Sequence, residues 1–411
     1  MASAGADDGE MDMNGQNKTS RGGCGGKGHL PWGWARERAW ALGQELTPDP
    51  RELPLDQVTG GVLGADVRAL AGLPAFDAAA MDGFAVSGRG PWRLVGRRMA
   101  GAAEEVCAGL GSGEAVEIAT GARVPKNTES VLPYEQARTT DGVVEGESEP
   151  GRHVRWAGEE ISPGEIVLTR GHVVSPAVMG LAASLGHDTL PVVLPRVAVV
   201  ITGEEVAVSG LPGEGLVRDA IGPVVPGVLS WAGAQLEHTV RLGDGRAELA
   251  KVLRRSDVDV IAVCGSSSRG PADHVREVLA EQGADMVVDG VSCRPGHPQL
   301  LARTGDRAVV GLPGNPGAAL VGALTLLVPL VTAMAGRPDP GVVPGRVPLG
   351  GDVRAHAQDT RLVAVRVEEG RAFPVGHDRP GSLRGAASAE AYAVVPPGWV
   401  GEDVELVCLP S

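Results

Sequence analysis

Apolar residues in the centre of the chain fall into short β-branched runs. Small-residue loops close most of them, and helical spacing follows at least two. Arg196-Val-Ala-Val-Val-Ile201 carries five apolar residues in a row, which predicts a strand buried on both faces, and it ends in Thr202-Gly203-Glu204-Glu205. Asp257-Val-Asp-Val-Ile-Ala-Val-Cys264 repeats the pattern and ends in Gly265-Ser-Ser-Ser-Arg-Gly-Pro-Ala-Asp273, with Val275, Val278 and Leu279 at helical spacing beyond. Met286-Val-Val288, Cys293-Arg-Pro-Gly-His-Pro298 and Ala308-Val-Val310 follow, then Gly311-Leu-Pro-Gly-Asn-Pro316 and a long apolar helix. Strand, small-residue loop and helix in repetition predict a parallel α/β sheet, which binds ligands at the carboxyl ends of its strands. The expectation is one three-layer domain over residues 189–335, with loops 202–205, 265–273, 294–298 and 312–316 on a single crevice.

Outside this stretch the patterns are shorter. Trp32 to Leu46 places Ala39, Leu42 and Leu46 on one helical side, and Glu52 to Val67 reads as a second short helix and a strand. Residues 77–149 are rich in strands and turns, as a small inserted β domain would be. Pro176 to Leu185 reads as a helix, and beyond Arg337 alternating stretches at Leu362–Val367, Ala391–Val395 and Val404–Cys408 predict a β-rich terminal domain. Ala308 to Gly336 carries no charge and is long enough to cross a bilayer. Pro313, Pro316, Pro329 and the Gly-Asn-Pro helix start favour a buried strand and helix instead, and no membrane is expected.

A chain of 411 residues exceeds one ordinary core, and its 43% apolar content suffices for several. The net charge of −14 speaks against nucleic acid and anionic membranes as partners. Lysine is confined to Lys18, Lys27, Lys126 and Lys251, so positive charge is almost all arginine. Cys24, Cys107, Cys264, Cys293 and Cys408 are scattered without metal-ligand spacing, as reduced thiols of a cytoplasmic protein would be. Residues 1–30, rich in Gly, Asp, Asn and Ser, read as a disordered tail.

The wording of the loops is more specific. Gly311-Leu-Pro-Gly-Asn-Pro316, Arg294-Pro-Gly-His-Pro298 and the Gly-Ser loop ending in Asp273 resemble the molybdopterin molybdenumtransferases, the MoeA and gephyrin E-domain family. Pro74-Ala-Phe-Asp-Ala-Ala-Ala-Met-Asp82-Gly-Phe-Ala, Thr120-Gly-Ala-Arg-Val-Pro125, Arg155 to Glu160, Thr202 to Glu205 and Arg218-Asp219 continue the resemblance over roughly residues 34–411. It implies a MoeA-like multidomain α/β fold. An elongated first domain (31–76 and 150–188) would carry the inserted β-rich domain (77–149), followed by the molybdopterin-binding domain (189–335) and a C-terminal β domain (336–411). Departures fall in the loops. Ser266 replaces the second glycine of Gly-Gly-Val-Ser-x-Gly, His297 the lysine of Pro-Gly-Lys-Pro, Ile221 an asparagine, and Gly317-Ala318 a Val-Ser pair.

The resemblance further implies insertion of molybdate into adenylated molybdopterin with release of AMP, assisted by Mg²⁺, in a homodimer. Catalytic roles would fall to Asp82, Thr120, Glu205 and Asp273, with Asp82, Glu205 and Asp273 holding Mg²⁺. Gly265, Ser268, Arg294, Gly296, His297, Pro298, Pro313, Gly314, Asn315 and Pro316 would bind the substrate. The loop departures leave a second expectation open, a non-catalytic paralogue that holds the pterin or partners an active copy. A generic nucleotide-binding enzyme is disfavoured, because no P-loop or dinucleotide fingerprint is present.

Overall fold

The structure is a computed structural model that describes residues 29–101, 109–255, 257–265, 267, 270, 273–377, 379–401 and 403–410. Its centre is a six-stranded sheet in the order Gln235–Leu242, Arg196–Thr202, Val260–Cys264, Arg307–Leu312, Leu300–Thr304, Asp285–Asp289. The first four strands run parallel, and Leu300–Thr304 lies antiparallel to both neighbours. Helices Arg246–Leu253 and Val275–Glu281 cover one face, where Val200, Ile261, Val263, Leu249, Val278 and Leu279 form a core. Helix Ile221–Ala232 and the long helix Pro316–Ala335 cover the other. The domain therefore has the three layers that strand–loop–helix repetition predicts.

Pro316–Ala335 meets the length and hydropathy of a membrane span, yet it is wholly buried in this core. Pro329 offers no amide to the turn before it, and Ala323–Leu327 is π-helical, as a ladder missing one donor tends to be. Helix Trp32–Glu45 packs along this buried helix rather than on the small sheet that follows it in sequence. Trp32 Nε1 donates to Thr325 Oγ1 at 3.0 Å, and the Arg36 guanidinium donates to the Leu324 carbonyl and the Asp339 carboxylate. The stretch expected as a second helix contains only a 3₁₀ turn, Leu55–Gln57, between strands Arg51–Pro54 and Val62–Leu63, because Pro54 interrupts any longer helical pattern.

Strand Thr189–Val193 joins Arg51–Pro54 and Val62–Leu63, so the large sheet begins at Arg196 rather than at residue 189. Strands between Gly83 and Glu145 form a separate six-stranded sheet with Phe84, Val86, Trp92 and Leu132 packed on it. The C-terminal strands Thr360–Glu368, Ala391–Val395 and Asp403–Cys408 make an antiparallel sheet with its own core. Val291–Arg294 is an unforeseen strand. It leaves the large domain and pairs in parallel with Thr360–Glu368 on one side and Leu30–Pro31 on the other.

Candidate functional site

A cavity of about 720 Å³ opens at the carboxyl ends of Arg196–Thr202, Val260–Cys264 and Arg307–Leu312. Thr202, Gly203 and Glu205 line it from the first strand, Gly265, Ser267 and Asp273 from the second, and Pro313 to Pro316 from the third. Strand order makes this convergence unavoidable, since three adjacent parallel strands deliver their loops to one edge.

Gly265 sits at the tightest point. Its φ is +92°, and a Cβ there would stand 2.5 Å from Thr202 Oγ1, so neither conformation nor space admits a side chain. The Gly265 amide donates to the Leu312 carbonyl at 3.0 Å, which ties the second loop to the third. Asp273 closes its own turn. Its Oδ2 accepts from the Gly270 amide at 2.6 Å, and its amide donates to the Gly270 carbonyl at 3.0 Å. Asp219 lines the wall but is already engaged. It accepts from the amides of Ile221 (3.1 Å) and Gly222 (2.7 Å) and from Arg241 Nη2 (3.0 Å), and so satisfies the first two amides of helix Ile221–Ala232 from the residue before its N-cap. Ile221 is buried at that helix start, packed into the core.

The expected site residues divide into groups. Glu205, Asp273, Gly265, Pro298, Pro313, Gly314, Asn315 and Pro316 share the cavity. Arg294, Gly296 and His297 do not line it. The strand Val291–Arg294 carries them toward the C-terminal sheet, where Arg294 Nε donates to Asp359 Oδ2 at 2.7 Å. Loop 294–298 therefore reaches the crevice through Pro298 alone. The half-buried His297 ring meets the His29 ring edge-on, with centroids 3.9 Å apart. Asp82 and Thr120 lie in the small β domain, where the Thr120 amide donates to Asp82 Oδ1 at 2.8 Å on an exposed surface. Ser268 lies outside the described residues.

Two wall residues escaped the sequence reading. Asp244 sits in a Gly-Asp-Gly turn after Gln235–Leu242, a strand too polar to announce itself. Gly381 comes from the C-terminal domain, and no local signal marks it.

Among the described residues no three His, Cys, Asp or Glu side chains gather into a metal cluster. Glu205, Asp244 and Asp273 do place hard oxygen donors on the cavity wall. Such a set suits Mg²⁺, which is commonly held by one or two carboxylates together with substrate phosphates. The buried thiols of Cys264 and Cys293 are pushed up to about 12 by desolvation and are not nucleophiles near neutrality.

The sequence profile of the MoeA N-terminal region (domain I and II) matches residues 34–186, that of the "Probable molybdopterin binding domain" matches 198–333, and that of the MoeA C-terminal region (domain IV) matches 346–409. Molybdopterin molybdenumtransferase 2 of Mycobacterium tuberculosis is 37% identical over 317 residues, covering 71% of this chain and 76% of that protein. Molybdopterin molybdenumtransferase of Bacillus subtilis is 30% identical over 363 residues, covering 82% and 84%. The crystal structure of the molybdopterin biosynthesis MoeA protein from Pyrococcus horikoshii shares the fold, with a TM-score of 0.66 over 93% of this chain and 99% of that one at 23% identity. Through three successive matched regions and a common architecture, the chain belongs to the MoeA family.

Proposed function

We propose that this chain is a molybdopterin molybdenumtransferase that inserts molybdate into adenylated molybdopterin and releases AMP. The observation that carries the reading is the crevice itself, which Glu205, Asp244 and Asp273 line together with Gly265, Gly314 and Asn315. Close-approaching glycine backbone can follow a planar pterin and its phosphate, while the carboxylates stand where a hard cation would sit beside the adenylate. Mg²⁺, held by Glu205 and Asp273, would supply charge neutralisation at the phosphate. Asp273, fixed by the Gly270 amide, keeps its carboxylate oriented without ligand. Arg294 and His297 would attract molybdate from the rim next to the C-terminal domain.

The reading includes a cytoplasmic homodimer in which Asp82 and Thr120 complete the partner's crevice, because within one chain they lie outside its own cavity wall. One observation favours the non-catalytic alternative. The amide of Ala318, at the start of the helix that would greet an anion, already donates to the Pro380 carbonyl at 3.1 Å.

Turnover decides between them. Purified protein with adenylated molybdopterin, molybdate and Mg²⁺ should release AMP in step with metallated cofactor. Pterin binding without AMP release would establish the holding role instead.

A further inference from the structure

Ser267 is 1% exposed and stands where three site loops meet. Its Oγ lies 2.7 Å from the Pro298 carbonyl oxygen and 2.9 Å from that of Leu312. Its own carbonyl accepts from Arg276 Nη1, and the Nε of the same guanidinium donates to Asp289 Oδ1 at 2.6 Å. Helix Val275–Glu281 and strand Asp285–Asp289 thus hold the Ser267 backbone from one side. Its hydroxyl reaches across to the loops on the other. One proton is shared with two carbonyls; the Leu312 oxygen also has the Gly265 amide at 3.0 Å. The hydrogen bond to Pro298 joins loop 294–298 to the crevice.

The family resemblance places valine here, in Gly-Gly-Val-Ser-x-Gly, and valine can make no such bond. We propose that Ser267 is a positioning residue whose hydroxyl, anchored through Arg276 and Asp289, presets the spacing of the Pro298 and Leu312 loops and thereby sets the affinity of the crevice for the pterin. The proposal rests on reading that crevice as the molybdopterin site. A hydroxyl brace formed within the protein orders the loops before the substrate arrives, so ordering is not charged against binding.

The test compares the full chain with Ser267→Ala, Ser267→Val and Ser267→Thr, each checked for cooperative unfolding. Hydrogen exchange on ligand-free protein should show faster exchange at the Gly265 and Gln299 amides in the Ala and Val variants, and wild-type protection with Thr. Pterin-fluorescence titration with molybdopterin should show affinity weakened about 10-fold in the same two variants, the size expected when the Pro298 carbonyl loses its hydroxyl donor while that of Leu312 keeps the Gly265 amide. Arg276→Gln, which frees the loop from its other anchor, should reproduce the exchange pattern if the threonine methyl proves too large to fold. Unchanged exchange in both Ser267→Ala and Arg276→Gln overturns the brace. Unchanged affinity, or a threonine variant that folds but is as weak as alanine, overturns its role in binding. If wild-type protein fails to bind molybdopterin, the pterin reading falls, and the exchange comparison still decides whether the brace exists.

Discussion

Gly317 lies directly beneath the carbonyl oxygen of Ser382, so that a Cβ built on it would stand 2.7 Å from that oxygen and 2.9 Å from the oxygen of Pro380. A loop of the C-terminal domain thus closes over the start of helix Pro316–Gly322. The Gly317-Ala318 pair, a departure when read as sequence, fits a covered helix start. Gly317→Val should therefore force the loop away and lower stability by about 1–3 kcal/mol, the usual cost of overpacking. Thermal unfolding measures it, and a melting temperature equal to wild type would show that the loop is not packed there.

Asp273→Asn should keep the turn, since an amide oxygen can still accept from Gly270, while removing a negative charge from the cavity wall. AMP release should fall by about 100-fold or more, because a metal-bound carboxylate acts on the chemical step by several kcal/mol. Molybdopterin binding should change little. Wild-type AMP release would leave Asp273 as a turn residue only.

His297 carries a pH prediction. An imidazole has a reference pKa of about 6.5, and only its protonated form attracts a dianion. Molybdate binding should weaken as pH rises through the pKa of the liganded state, because a proton is taken up with the anion. His297→Lys, charged throughout this range, should bind more tightly near pH 8 and flatten the profile. Calorimetric titration from about pH 6 to 8.5 brackets the histidine range. Superimposable profiles would assign the anion to Arg294 without His297.

Arg36 is buried against Asp339, with side-chain exposures of 11% and 7%, and desolvation holds its guanidinium below the ordinary arginine range. Asp339→Ala strands that charge and should cost about 3–5 kcal/mol, as breaking a buried pair does. Denaturant unfolding should show a lower midpoint, and Arg36→Met with Asp339→Leu should recover most of the loss. A single variant as stable as wild type would mean that water reaches Arg36 freely.

The sequence by itself determined the layers and the crevice. Val197 to Ile201, Val260 to Cys264 and Ala308 to Val310 are continuous apolar runs, which are stable only when covered on both faces, and adjacent parallel strands bring their loops to one edge. Local composition also identified Gly265, Asp273 and Gly314 as loop positions at that edge. Tertiary structure alone decided which charges face the cavity. Asp219 lies on the wall with its carboxylate taken up by the amides of Ile221 and Gly222, and Arg294 is held off the wall, at the C-terminal sheet, by Asp359, 65 residues away. Ser267 reads as a generic small residue until Pro298 and Leu312 close around it. Each of these roles depends on a partner distant in sequence, and a side chain's charge or hydroxyl does not encode which distant carbonyl or carboxylate the fold will set beside it.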